Sequence, residues 1–308
     1  MIKLTVLLAA YNGEKFLREQ LDSILNQDLP QDIELKIIVR DDGSTDGTLD
    51  ILQEYCDNYK DTVSYYAGEN VRTARSFLHL LKNCPQSDYY AFSDQDDFWY
   101  PDKLARAIAA LQAEPEQDIP LLYCSNVMVS DAELNPVGIM NSEKIYSDLA
   151  HVLIYVMSNG CTQVFNNRTR DELLKYDMDK NLVIMHDRLA ELLIAMTGKV
   201  IYDENPTMLY RQHGNNVVGE QSVGKLKSFF KRVKRFFGSS NSIRSDRCRM
   251  FLELYGDRLN DEQKRLLYAV GYYKTDKKAR KTLMKDKAFS KSRTADFWFR
   301  WAIRLKKI

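Results

Sequence analysis

Tyr89-Tyr90-Ala91-Phe92-Ser93-Asp94-Gln95-Asp96-Asp97-Phe98-Trp99-Tyr100-Pro101-Asp102-Lys103-Leu104 decides the fold. Its first four residues are aromatic and strand-forming, and Pro101-Asp102-Lys103-Leu104 reads as a helix start, so the aspartates fall in a strand-to-helix loop. In open α/β sheets, ligands gather at such loops. Carboxylates this close repel one another unless a cation joins them, and hard oxygen donors suit Mg²⁺ or Mn²⁺, which bridge to phosphates. The chemistry suggested is the handling of a metal-bound nucleotide.

A lone Asp-rich loop is as readily a solvated turn or a helix cap. Two upstream segments repeat the arrangement. The β-rich run Ile33–Val39 stops at Arg40-Asp41-Asp42-Gly43-Ser44-Thr45-Asp46-Gly47-Thr48 before a helical stretch from Leu49 to about Tyr59. The run Leu4–Ala10 ends at Tyr11-Asn12-Gly13 before the helical spacing of Phe16, Leu17, Leu21, Ile24 and Leu25. Three strand ends are therefore expected on one rim.

Order and spacing of these segments, continued by His186-Asp187 and Tyr210-Arg211-Gln212-His213-Gly214-Asn215-Asn216, resemble family 2 glycosyltransferases of the GT-A fold, in particular the bacterial rhamnosyltransferase-like branch. The match spans roughly the first two-thirds of the chain. It implies a Rossmann-like α/β fold whose mixed, mainly parallel sheet is flanked by helices, and an inverting, metal-dependent transfer of a sugar from a nucleotide-diphosphate donor. On that resemblance Ala10, Tyr11, Asn12, Asp42, Asp94 and Gln95 would form the nucleotide-sugar site, Asp42 meeting the pyrimidine base and Asp94 the ribose. Asp96 would hold Mg²⁺ or Mn²⁺, with His213 completing the metal or diphosphate shell, either as a neutral ligand or as a protonated partner of phosphate. Asp187 would be the base that takes the acceptor proton.

Asp187 also opens the helical pattern of Arg188–Ile194, a place where an aspartate serves equally as a cap. Glu191, one turn on, is expected either to share the acceptor pocket or to be a solvated helix charge. The chain departs from the family pattern at Ala9, where many members have proline, and at Asn70–Arg75. There Arg72 and Arg75 are placed to pair with phosphates or simply to start a helix. The Q-x-x-R-W segment of processive members is missing, which favours addition of a single sugar.

At 308 residues, with 44% apolar and 28% charged, the chain can bury a large core. The net charge of +1 hides a division: residues 1–224 carry −16 and residues 225–308 carry +17. Within the basic part Leu226, Phe229, Phe230, Val233, Phe236 and Phe237 recur at helical steps among lysines and arginines, and residues 297–308 again mix aromatic with basic side chains. Residues 243–290 read as two or three helices after a break at Gly238–Ser242. We therefore expect a catalytic domain over 1–220 and a helical, basic, amphipathic region over 221–308. That region either docks on the inner membrane face or packs on protein, including a second copy of the chain. No zinc, helix-turn-helix or RNP-type signature points to nucleic acid.

Five cysteines without a C-x-x-C pair fit a reducing cytosol. No stretch approaches the roughly 20 apolar residues of a membrane span, and Leu4–Ala10 reads as a strand rather than a signal-peptide core. Together these features suggest a cytoplasmic, peripherally membrane-bound enzyme moving one sugar, with dTDP-rhamnose the donor its branch suggests, to a lipid-linked cell-surface glycan precursor. The alternative is a non-catalytic nucleotide-sugar-binding scaffold of a glycan assembly complex, which would need no positioned base. A nucleotidyltransferase would need a Gly-rich phosphate loop that the N-terminal part lacks.

Overall fold

The computed structural model describes residues 1–213, 243–289 and 293–306. The chain forms two compact units, Met1–Ile145 with Met157–His213, and Tyr146–Val156 with Gly214–Ile308.

In the first unit, apolar and aromatic runs build β1 (Ile2–Ala10), β2 (Ile33–Asp41), β3 (Val63–Ala67) and β4 (Tyr89–Ser93), with α1 (Leu17–Leu25), α2 (Thr48–Asn58) and α3 (Thr73–Asn83) as their connections. The strands are parallel in the order β3-β2-β1-β4. Ala10 is level with Asp41, and Ser93 pairs with Leu8, so the three loops expected at one rim do lie there. Leu4, Val6, Leu8 and Ala10 face one layer, where they pack with Leu17, Leu21 and Ile24 of α1 and Leu52 of α2.

The acidic loop does not run straight into a helix. A two-residue strand, β5 (Phe98–Trp99), intervenes before α4 (Lys103–Gln112). The chain continues through β6 (Leu121–Ser130), β7 (Pro136–Ile139), the short helix α5 (Leu149–Ile154) of the second unit, β8 (Val164–Asn166), α6 (Asn167–Leu174), α7 (His186–Thr197) and β9 (Lys199–Arg211). β8 lies antiparallel between β4 and β6, while β9 pairs parallel with β6 and antiparallel with β5. The pairing of Phe98 with Leu209 brings the end of β9 to the acidic loop.

In the second unit α5 is joined by α8 (Ile243–Tyr255), α9 (Asp261–Tyr272), α10 (Lys277–Lys285) and α11 (Arg293–Arg304). Three of these helices fall in the stretch expected to hold two or three. Phe251, Leu267, Val270 and Leu283 are among its buried side chains. Asn260 and Gln263 close a reciprocal capping box at the start of α9. The amphipathic helix expected from Leu226 to Phe237, the break after it, and Gly214-Asn215-Asn216 of the last motif lie outside the described residues. Among the described residues no helix is long and apolar enough to cross a membrane.

Candidate functional site

The loops after β1 and β2 are laced together by side chains bonding to backbone. Asn12, at φ 47°, accepts from the Thr45 N–H at 2.8 Å, while its own N–H donates to Ser44 Oγ at 2.8 Å. Asparagine tolerates this left-handed backbone better than most residues. The Gly13 N–H donates to Thr48 Oγ1 at 2.8 Å. Gln95 then clamps the third loop to the first: its Oε1 accepts from the Tyr11 N–H at 2.8 Å and its Nε2 donates to the Tyr11 carbonyl at 3.0 Å. With its backbone held at both ends, the Tyr11 ring is left 48% exposed.

Asp42 is buried beside β2. Its carboxylate accepts from the Arg40 guanidinium, from the Val71 N–H at 3.2 Å and from the Arg72 N–H at 3.0 Å. Arg72 has φ 69°, a strained conformation for a residue with a Cβ, and its side chain is exposed. Asp41, which the sequence did not single out, caps the turn by accepting from the Gly43 and Ser44 N–H groups at 3.1 and 3.0 Å, and its Oδ1 is buried without a partner.

The acidic loop is crowded. His213 Nε2 meets Asp96 Oδ2 at 2.8 Å, so these two predicted ligands are brought together. Arg211 supports them from below. Its buried guanidinium donates to the Asp96 and Ala132 carbonyls and pairs with Glu19, and it lies 4.5 Å from the Phe16 ring, against which His213 packs at 4.8 Å. Asp97, also missed by the sequence reading, accepts from the Arg211 N–H at 3.2 Å and buries an unpartnered Oδ2. Burial, then the charge of Asp96, then that of Asp187 push the Asp94 carboxyl up to about 7. Burial and the charges of Asp96 and Asp94 hold Asp97 well above the ordinary carboxylate range. The nearby Lys103, fully buried, donates to the Cys161 carbonyl at 2.7 Å, and burial brings it down to about 8.

Asp187 reaches this cluster from the other face of the sheet. Phe92 of β4 and Phe77 of α3 enclose the His186 ring, with centroids 4.9 and 3.7 Å away. Phe92 precedes Asp94 by two residues and His186 precedes Asp187 by one, so this aromatic contact joins the two segments that carry the carboxylates. Burial drives His186 down to about 3, which leaves a neutral ring with neither nitrogen hydrogen-bonded. Asp187 is in the first turn of α7 and accepts from the Arg188 N–H at 2.6 Å. Burial raises its carboxyl above the usual value. Glu191 matches neither expectation made for it: it is fully buried, in an ion pair with Arg188 at 2.8 Å, because its side of α7 faces the protein interior. Arg75 pairs with Asp179 at 3.4 Å.

The profile of glycosyl transferase family 2 matches residues 5–160, and dTDP-rhamnosyl transferase RfbG of Shigella flexneri is 34% identical over 237 residues, 73% of this chain and 78% of RfbG. The chain belongs to glycosyl transferase family 2. Among solved structures this glycosyltransferase is similar in fold to S. aureus TarS in complex with UDP-GlcNAc, with a TM-score of 0.54 and 14% identity over 99% of this chain and 91% of the other. It is also similar to the mannosyltransferase PcManGT of Pyrobaculum calidifontis in complex with GDP-Man and Mn²⁺, with a TM-score of 0.53 and 18% identity over 98% of this chain and 79% of the other. These likenesses establish the GT-A fold.

The acidic loop of this glycosyltransferase fits a divalent ion by its donor chemistry. Ligand atoms of Asp94, Asp97 and Cys161 lie within 4.8 Å of one another, and Asp97 Oδ2 is an orphaned buried acceptor. Burial holds the Cys161 thiol well above its ordinary value, so it stays protonated and is a poor ligand for a hard cation. Asp94 and Asp97 supply the hard oxygens of that group, whereas the predicted ligands Asp96 and His213 meet each other outside it.

Proposed function

We propose that this glycosyltransferase transfers a single sugar, with inversion, from a nucleoside-diphosphate donor in a metal-dependent reaction. A dTDP-sugar such as dTDP-rhamnose is the donor suggested by the likeness to RfbG. The acceptor we propose is a lipid-linked precursor of a cell-surface glycan, met at the cytoplasmic membrane face. The observation that carries the reading is the approach of Asp187 to the acidic loop: a Cβ on Gly160 would lie 3.3 Å from the Asp187 Cβ, and the next residue, Cys161, has its thiol grouped with Asp94 and Asp97.

In this reading Tyr11 packs against the base and Asp42 accepts its N–H. A carboxylate offers about four acceptor sites and Asp42 has three protein donors, so one site remains for the base. Asp94 faces the ribose, and the exposed Arg72 pairs with the diphosphate. Asp96 and His213 would hold the ion, whose contribution would be positive charge to offset the negative charge of the leaving nucleoside diphosphate. Asp187 accepts the proton of the attacking acceptor hydroxyl, and its raised basicity strengthens it for that task.

Release of nucleoside diphosphate from UDP-, dTDP- and GDP-sugars, measured with Mn²⁺ or Mg²⁺ and again with EDTA in the presence of lipid-linked acceptor extract, tests the reading. We expect release from one donor class, abolished by EDTA. Release that EDTA leaves unchanged would remove the metal, and no release from any donor would favour a non-catalytic role.

A further inference from the structure

We propose that Gln163 and Glu191 are positioning residues for Asp187, holding Met157–Gln163 as a rigid link that sets the distance from the base to the acidic loop. The proposal rests on the reading of Asp187 as the base.

The link touches both carboxylate groups. In its middle the Cys161 carbonyl takes the buried Lys103 ammonium, and the Cys161 thiol sits in the group with Asp94 and Asp97. The preceding residue, Gly160, presses against α7: a Cβ there would lie 2.4 Å from His186 Nε2 and 3.3 Å from the Asp187 Cβ. Only glycine permits so close an approach.

Two side chains fasten the link. Gln163 Nε2 donates to the Asp187 carbonyl and to Ser158 Oγ, both at 3.1 Å. Its backbone carbonyl accepts from the Phe92 N–H at 3.1 Å, two residues before Asp94. Glu191 Oε1 accepts from the Met157 N–H at 3.2 Å, the Ser158 N–H at 2.7 Å and the Ser158 hydroxyl at 2.8 Å, while Oε2 takes Arg188. An unbroken hydrogen-bonded path thus runs from Glu191 through Ser158 and Gln163 to the main chain of Asp187.

Stability alone gives a weak account of this path. A buried ion pair such as Arg188–Glu191 is frequently replaceable by apolar residues without loss, and Gln163 keeps its Oε1 buried with no partner. An amide that leaves one end orphaned contributes chiefly through the donor it aims at Asp187 and Ser158. A shift of about 1 Å in a reacting group is enough to cost about 100-fold in rate.

The test uses the full chain with whichever metal and donor the panel of nucleotide sugars selects, measuring kcat and KM for the donor, nucleoside-diphosphate affinity by calorimetry, and thermal midpoint. Gln163→Met keeps the length and removes the donor; Glu191→Met removes the three-fold acceptor, and Glu191→Gln restores it. We expect Gln163→Met to lower kcat about 10- to 100-fold, with donor KM and nucleotide affinity within about twofold. Glu191→Gln should recover most of the rate lost in Glu191→Met. Unchanged kcat in Gln163→Met, or loss of nucleotide affinity in parallel with kcat, overturns the proposal even if Glu191→Met fails to fold. Asp187→Asn is measured alongside. If that variant turns over near the wild-type rate, the base reading falls and takes this proposal with it; if it is inactive while Gln163→Met is unimpaired, this proposal alone fails.

Discussion

At the scale of single residues, Asp187 has two roles that make opposite predictions. A helix cap stabilises the fold most when ionised, whereas burial raises this carboxyl and so makes its ionised form a cost to the folded state. Because the folded value lies above the unfolded one, the unfavourable contribution appears as pH rises through that interval. A general base, by contrast, must be ionised to act. We expect Asp187→Asn to lower kcat by about 10²- to 10⁴-fold while leaving the urea midpoint unchanged or higher. A lowered midpoint with kcat preserved would identify a cap. For the wild type, kcat should fall with acid, its midpoint above the ordinary carboxylate value, and this limb should be absent in Asp187→Asn. The place of Asp187 at a helix start was legible because its signal is local. Asp97, Arg211 and Gln163 were not: Arg211 donates its N–H to Asp97 from 114 positions away, and no spacing rule reports such a pairing.

Elements show the same division between local and distant causes. β1, β2 and β4 were legible because an apolar or aromatic run and a following loop signal define each of them, and the parallel register then levels their ends. β8 is three residues long, and the sequence gives no sign that it separates β4 from β6. β5 is shorter still and exists only through its pairing with β9. These short strands join the parallel half of the sheet to the half that returns His213 and Asp96 to each other. The turn from α7 into β9 is correspondingly tight: a Cβ at Gly198 would stand 1.9 Å from the Pro120 carbonyl oxygen. Backbone must move to admit it, so Gly198→Ala should destabilise the protein by about 1–3 kcal/mol. The decisive comparison is its urea midpoint against Ala195→Gly, a helix-interior change on α7 expected to cost about 1 kcal/mol through propensity alone. A smaller effect at Gly198 than at Ala195 would show that the turn has slack.

For the whole molecule, the charge division is the feature that the site leaves unexplained. Residues 225–308 carry +17 against −16 in the remainder, and the described part of that segment shows where some of the charge sits. Lys277, Lys281 and Lys285 recur every four residues on α10 and are exposed, on the side opposite the buried Ala279 and Leu283. On α11 Trp301 is 44% exposed, as is Leu305 just past its end at 46%, while Phe299, Ala302 and Ile303 are buried. Packing within the second unit therefore uses one side of each helix and leaves basic and aromatic side chains outward. An acceptor carried by a lipid would give that surface a purpose, since each lysine held at an anionic leaflet contributes about 1 kcal/mol and the attraction decays within a Debye length. We expect the full chain to sediment with vesicles containing phosphatidylglycerol and not with phosphatidylcholine alone, and 0.5 M salt to release it. Replacing Lys277, Lys281 and Lys285 together by glutamine should weaken this binding by about 3 kcal/mol at most, with release of nucleoside diphosphate from the donor unaltered. Sedimentation with neither lipid, or equally with both, would instead assign the outward lysines, Trp301 and Leu305 to a protein partner, and a rise in mass with concentration in sedimentation equilibrium would identify that partner as a second copy of the chain.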